Sequence, residues 1–367
     1  MLQSKTLILY VFFCSILIAQ TQEVVDRSSA SIKRAIKNSG GNNKTEKSIE
    51  NSLNWFKSIQ NPDGSWGDTS KSSLTSLVLL SYMGYGHKPG TGPYGKTLLR
   101  AMIYLMDTET THKIDRGYAL PIKTIAISEA YGLTGDNAVK NIIENYVKVL
   151  SAGQQKNGAF DYYLDSKSNR QDMSLSSWVF QAFKSAQEVG CSVKELDSNI
   201  DKSCEFLLFH TTGKNKFFYS TRDNVPKDRT TMSMQSAGSF LLQMFKGNKI
   251  KELQDDLKDI GESEIKNLDW NSPPKNCLYG WYYATNSMHI AGGSKWKDWY
   301  KKVQHLYIDN QNPEGYWTHP GSFYGNTKSE KDQKIFATTF CCLTLLAPGR
   351  YPKERNKSNF KVPNIKK

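Results

Sequence analysis

An all-α fold, six helical hairpins closed into an (α/α)6 toroid (barrel) with inner and outer rings of helices, is what this sequence predicts. Three observations carry that expectation. One turn unit recurs: Gln60-Asn61-Pro62-Asp63-Gly64-Ser65-Trp66 and Gln311-Asn312-Pro313-Glu314-Gly315-Tyr316-Trp317 share Gln, Pro, Gly and Trp at identical spacing, with a looser copy between them on Gln155, Gly158 and Phe160. Helical periodicity fills the chain in six pairs of about fifty residues each. Within a pair the members differ. The first carries Lys, Glu and Asn on one face, and the second is apolar, small or aromatic nearly all round, as a wetted outer ring and a buried inner ring require. Open solenoids use similar hairpins, but with shorter turns. The turns here run to about twenty residues and hold Trp, Tyr and Asp, which favours the closed array.

Taken in order, residues 1–20 differ in kind from the rest: Lys5 precedes an uninterrupted apolar run, Thr6 to Ala19, followed at once by polar chain. Length and flanks are those of a secretory signal peptide, too short for a comfortable membrane span, with an uncleaved N-terminal anchor as the other reading, and no later stretch is apolar enough to cross a bilayer. Cys14 lacks the small neighbours of a lipid-attachment site. The mature protein is therefore expected to be exported: periplasmic, envelope-associated or secreted. Residues 21–44, rich in Ser, Lys and Asn, read as a linker or an extra helix. The toroid domain is expected over 45–348. Its pairs are Thr45–Ile59 with Leu74–Met83, Gly95–Met106 with Tyr118–Tyr131, Ala138–Leu150 with Ser174–Val189, Ile200–Phe209 with Met232–Phe245, Ile250–Asn267 with Trp281–Ala291, and Trp296–Asp309 with Ile335–Leu346. Asn61-Pro62-Asp63-Gly64 has the residues of a type I turn, and a glycine follows each second helix as a C-terminal stop. Residues 349–367 form a basic tail, with Lys353, Arg355, Lys357, Lys361, Lys366 and Lys367.

The net charge of +13 is otherwise spread along the chain with acids among the bases. No nucleic-acid reader motif appears, and export argues against such a partner; a basic surface suits anionic envelope polymers instead. Beyond Cys14 the cysteines are Cys191, Cys204, Cys277, Cys341 and Cys342. None has zinc-site spacing, so neither a metal nor another cofactor is implied. Cys341 and Cys342 read as small core residues, and a Cys191–Cys204 disulfide is one possibility in an oxidising compartment.

QNPDGSW and QNPEGYW resemble the QW motifs of the terpenoid cyclase and protein prenyltransferase superfamily, whose fold is an α/α toroid. GHKPGTGPYGKTLLRAMIYL, IAISEAYGLTGD, GWYYATNSMHIAGGSKWKDWY and IFATTFCCLTLL look like bacterial prenyltransferase and squalene oxidase repeat proteins, and the likeness runs from about Thr45 to Pro348. The resemblance implies a structural role for Gln60, Trp66, Gln311 and Trp317, tying one helix pair to the next. A Gln amide can bond the exposed groups of a helix end while a Trp ring covers it.

The superfamily's chemistry does not carry over. No DxDD acid cluster is present. The nearest candidate is Asp172, in RQDMSLSSW, which opens the third inner helix and reads first as its N-cap. The Asp/Cys/His zinc set is missing, since Asp172-Met173-Ser174 has no thiol and no inner helix opens on His. Asp255-Asp256-Leu257-Lys258-Asp259 spells DDxxD, but on an outer helix, where it reads as a solvated face paired with Lys251 and Lys258. The aromatic run around Tyr279, Trp281 and Tyr282, continuing to His289, is the candidate wall of a central ligand cavity, set against helix-to-helix packing as its other reading. His319 lies in a loop that overhangs the same mouth.

The leading expectation is an exported, monomeric toroid that binds an apolar or ring-containing small molecule, or a protein partner, in its central cavity, without cyclase or zinc prenyltransferase chemistry. The rival is a divergent enzyme, terpenoid cyclase-like or glycan-active, using Asp172 with cavity tyrosines. A third reading is a purely structural module.

Overall fold

A computed structural model describes residues 26–107, 117–209, 217–222, 225–226, 231–247, 250–321 and 329–351. The expected leader, and the tail beyond 351, lie outside these. The first helix among the described residues is α1 (Ser29–Asn38), within the stretch read as linker or extra helix. Outer helices α2 (Asn43–Ser58), α4 (Gly95–Met106), α6 (Asn137–Ala152), α8 (Leu196–Phe209), α10 (Gln254–Glu262) and α12 (Gly293–Ile308) alternate with inner helices α3 (Lys71–Gly84), α5 (Ala119–Thr134), α7 (Met173–Glu188), α9 (Met232–Lys246), α11 (Cys277–Ala291) and α13 (Glu330–Leu345). A short α14 (Ala347–Arg350) follows. Each inner helix packs on the next, and α13 packs back on α3, so the inner ring closes. The inner helices run parallel: their N-termini meet at one end, the mouth, and their C-termini at the other.

Small hydroxyl residues make this ring feasible. Ser76, Ser81, Thr124, Ser177 and Thr344 each donate to the carbonyl four residues back, at 2.6–3.0 Å. A helix buried on nearly all sides thus satisfies its own polar side chains while neighbouring backbones come close.

The three repeated turns each tie one outer helix to the next in the ring. Gln60 Nε2 donates to Gly64 O at 2.9 Å and to Thr97 O of α4 at 2.9 Å. Gln311 Nε2 does the same with Gly315 O at 3.0 Å and with Ser48 O of α2 at 2.9 Å, across the closure. In the looser copy the equivalent residue is Gln154, not Gln155: its Nε2 reaches Gly158 O at 3.1 Å and Asn199 O of α8 at 3.0 Å. With Gln154 in place the spacing matches the other two copies, and Gln155 becomes the counterpart of Asn61. Gly64, Gly158 and Gly315 have φ of +90°, +89° and +100°. A β-carbon there would lie 2.6, 2.1 and 2.4 Å from the carbonyl oxygens of Arg100, Lys202 and Asn51 respectively, so each glycine lets its turn rest on the neighbouring helix. Trp66 and Trp317, fully buried, donate Nε1–H to Phe56 O at 2.7 Å and Tyr307 O at 2.8 Å, near the C-termini of their own outer helices.

A carboxylate secures the ring's seam. Asp332 on α13 accepts from the backbone N–H of Asp68 at 2.6 Å, Thr69 at 3.1 Å and Ser70 at 3.3 Å, and from the Thr69 hydroxyl at 2.6 Å. It therefore caps the entry to α3 from the opposite side of the closure.

Several expectations are corrected. The all-α expectation holds apart from β1 (Arg170–Asp172), β2 (Ser220–Arg222) and β3 (Val225–Pro226), which form a small antiparallel sheet at the mouth. Strands of two or three residues are too short to display an alternating pattern. The fifth outer helix is not continuous over 250–267, because a 3-10 turn precedes α10 and another follows it. Asp256 is buried and accepts from Gln235 Nε2 of α9 at 2.8 Å, so it is not part of a solvated face. Gly349 and Arg350 belong to the fold, not to a tail. Arg350 is buried at the closed end, where it donates to Leu80 O at 3.1 Å and pairs with Glu129 at 2.5 Å. Arg27, preceding α1, pairs with the same Glu129 at 3.4 Å. Cys191 and Cys204 are free thiols.

Candidate functional site

At the mouth, β1 and the start of α7 place Asp172. Its N–H donates to Phe160 O at 2.8 Å, and the next residue, Met173, donates to Tyr219 O at 2.9 Å. Sheet and turn thus fix the carboxylate from both sides. Asp172 is buried, and both of its oxygens act as acceptors: Oδ1 from Leu175 N–H at 3.0 Å and Ser174 Oγ at 2.9 Å, Oδ2 from Arg170 at 2.8 Å. It caps its helix and also anchors a relay. The Ser174 hydroxyl spends its single proton on Asp172, so in the very short Tyr118–Ser174 contact the tyrosine is the donor. The wire runs Tyr118 O–H to Ser174 O–H to Asp172. Burial, reinforced by the Asp172 charge, pushes the Tyr118 hydroxyl well above the usual tyrosine range, so it stays protonated.

More tyrosines surround this wire. The Tyr162 ring meets Tyr118 edge to face at 5.6 Å, and burial followed by the Asp172 charge raises its hydroxyl as well. Tyr279 is half-buried, with its hydroxyl 3.4 Å from Ser174 O. His319 packs against Phe336 of α13, at 6.5 Å between ring centroids. Burial lowers its pKa against the opposing pull of the Pro320 and Gly321 backbone, which leaves a neutral imidazole at pH 7.

Of the predicted cavity wall, only Tyr279 reaches the mouth. Tyr282 lies deeper, fully buried and stacked on Trp178 of α7 at 6.4 Å and 9° between planes. Trp178 also meets Phe340 of α13 at 6.5 Å, so rings from opposite sides of the toroid touch across its axis. The centre behind the mouth is a packed aromatic layer. Trp281 turns away from the axis towards Trp270 of the preceding turn and Tyr307 of α12. The run YGWYY spans a full helical turn, so its rings necessarily point in different directions. His289 lies at the closed end, with Nε2 2.7 Å from Tyr351 O and its ring on Trp296 at 4.8 Å.

Sequence reading missed Tyr118, Tyr162 and Ser174 as site residues. Tyr118 precedes a helix and Tyr162 lies in a long turn, so no periodicity marks them. The available signal was that both fall just before or within the turns that feed inner helices. A depression of about 610 Å3 opens at the closed end beside Arg27, His87 and Lys88, and none of the candidate residues lines it. Among the described residues, no group of His, Cys, Asp and Glu could hold a metal ion, and no helix is long and apolar enough to cross a membrane.

Fold and closure define an α/α-toroid protein with a tyrosine-lined mouth. No protein-family model and no curated protein matches the chain. Solved structures do. The cellobiose 2-epimerase from Spirochaeta thermophila DSM 6192 superposes with TM-score 0.63 at 10% identity, over 89% of this chain and 98% of that one. An inactive variant of an α-1,6-mannanase of Salegentibacter sp. HEL1_6, in complex with α-1,6-mannotriose, gives 0.61 at 11% identity, over 82% and 99%. A type II terpene cyclase from Scytonema gives 0.51 at 11%, over 84% and 97%. The α/α-toroid fold expected from the turn motifs is therefore the observed one, and an epimerase, a mannanase and a terpene cyclase share it.

Proposed function

We propose that this chain is an exported, glycan-active toroid that receives a sugar ring at its mouth, with Asp172 as the fixed anionic group and Tyr118, Tyr162 and Tyr279 as its hydrogen-bonding and stacking wall. The observation that supports this reading is the Tyr118–Ser174–Asp172 relay. A carboxylate held from two sides, reached by a protonated tyrosine, can orient a sugar hydroxyl and stabilise positive charge that develops on the ring during glycosidic chemistry. Neutral His319 on the other flank is the candidate proton acceptor. The glycan-active neighbours support this rival expectation over ligand binding alone. The packed layer of Trp178, Tyr282 and Phe340 weighs against a deep central cavity for a long apolar chain.

The mature protein, incubated with manno-, cello- and uronic-acid-containing oligosaccharides and followed by product chromatography, is expected to turn over at least one. Asp172→Asn keeps a capping oxygen but loses the charge paired with Arg170, and is expected to lose about 100-fold or more in rate with the fold retained. Absence of both binding and turnover across the panel would refute the reading; an unchanged rate in the variant would remove Asp172 from it.

A further inference from the structure

We propose that Tyr163, with Tyr162, forms an outer stacking subsite, so that the ligand is a chain of sugar rings and not a single unit; this rests on the glycan reading above. The rings form an unbroken ladder outward from Asp172. Tyr118 meets Tyr162 at 5.6 Å and 79°, and Tyr162 meets Tyr163 at 5.4 Å and 82°. Tyr163 is 67% exposed. A perpendicular contact occupies at most one face of its ring, leaving the other open to solvent. Aromatic faces of this kind stack on the apolar face of a sugar while the hydroxyl stays wet.

Two features separate Tyr163 from an ordinary exposed aromatic. Its loop is held rigid: buried Asp161 accepts the N–H of Tyr163 at 2.8 Å and of Asp165 at 2.9 Å through one oxygen. The next residue, Leu164, sits at φ +59°, a conformation that a branched side chain disfavours, and it persists because the loop lies flat on Gly153, where a β-carbon would come 2.9 Å from Leu164 O. An exposed ring on a rigid, strained loop loses little freedom on binding. Among the described residues, the other large apolar side chains that are exposed, Leu99, Ile103, Val149 and Phe209, stand on outer helices and not on a turn leading into the mouth.

The test is calorimetric titration of the whole protein with the same manno-, cello- and uronic-acid-containing oligosaccharides, each series one to six units long. Wild-type affinity is expected to rise with length beyond one unit. Tyr163→Ala should weaken the longer ligands by roughly five- to tenfold and leave the single unit unchanged, with Tyr163→Trp restoring the gain. If the wild type binds single units and gains nothing with length, or if Tyr163→Ala shows the same length dependence, the subsite is overturned while the glycan reading stands. If the wild type binds none of these sugars, both fall. A matching thermal melt for Tyr163→Ala separates loss of the ring from loss of the fold.

Discussion

Gly158 stands where the backbone of α8 leaves no room for a side chain, with the Lys202 carbonyl 2.1 Å from the position of a β-carbon. Gly158→Ala combines left-handed strain with that clash, and is expected to destabilise the protein by about 2–4 kcal/mol in denaturant unfolding. Gly135 supplies the control: at φ +68°, with nothing within 4 Å of a β-carbon, its alanine variant should cost only about 1–2 kcal/mol of strain. The sequence made the glycine visible through the repeat, but it misplaced the glutamine by one residue. Adjacent Gln154 and Gln155 are chemically identical, and only their partners, the Asn199 and Arg170 carbonyls, tell them apart. The same limit applies at the mouth. Asp172 was legible as a helix cap, whereas its relay through Ser174 to Tyr118 joins residues far apart in sequence, and no pattern predicts that contact.

At the scale of elements, periodicity was enough to find both rings, because inner and outer helices differ in how much of their circumference is apolar. It could not say which rings of YGWYY face the axis. A helix apolar all round carries no phase, and Trp281 and Tyr282 end on different faces of α11. The tryptophans of the repeated turns are clearer cases. Each fills the space between its outer and inner helix and bonds a carbonyl near the end of its own outer helix. Trp66→Ala is expected to cost about 3–5 kcal/mol through the cavity and the lost Nε1–H bond to the Phe56 carbonyl, read as a lower denaturation midpoint. Tyr163→Ala, exposed on its loop, should leave that midpoint in place.

The molecule as a whole depends on meeting itself. Asp332 closes the ring onto Asp68, Thr69 and Ser70. Burial opposes its charge, but the Thr69 hydroxyl and the three backbone donors outweigh burial and hold its pKa below the ordinary aspartate value. A carboxyl with a lower pKa in the folded chain than in the unfolded one contributes its full stability above about pH 4, and loses it as pH falls through the lowered value. Asp332→Asn should therefore be less stable by about 1–3 kcal/mol at pH 7, and the gap to wild type should narrow in urea titrations at pH 3. Glu129 performs a related task at the closed end, where it faces Arg350 and Arg27 together. Glu129→Ala leaves the buried guanidinium of Arg350 without that partner, and is expected to cost about 3–5 kcal/mol and to expose α1 and α14 to hydrogen exchange.

Because Arg27 and Arg350 converge on one glutamate, the polypeptide is threaded in and out through the same pole, opposite the tyrosines. A fluorophore or a surface tether attached to the exposed face of α1 would be carried at that pole. The opposite rim would stay unobstructed for polymers too large to diffuse freely.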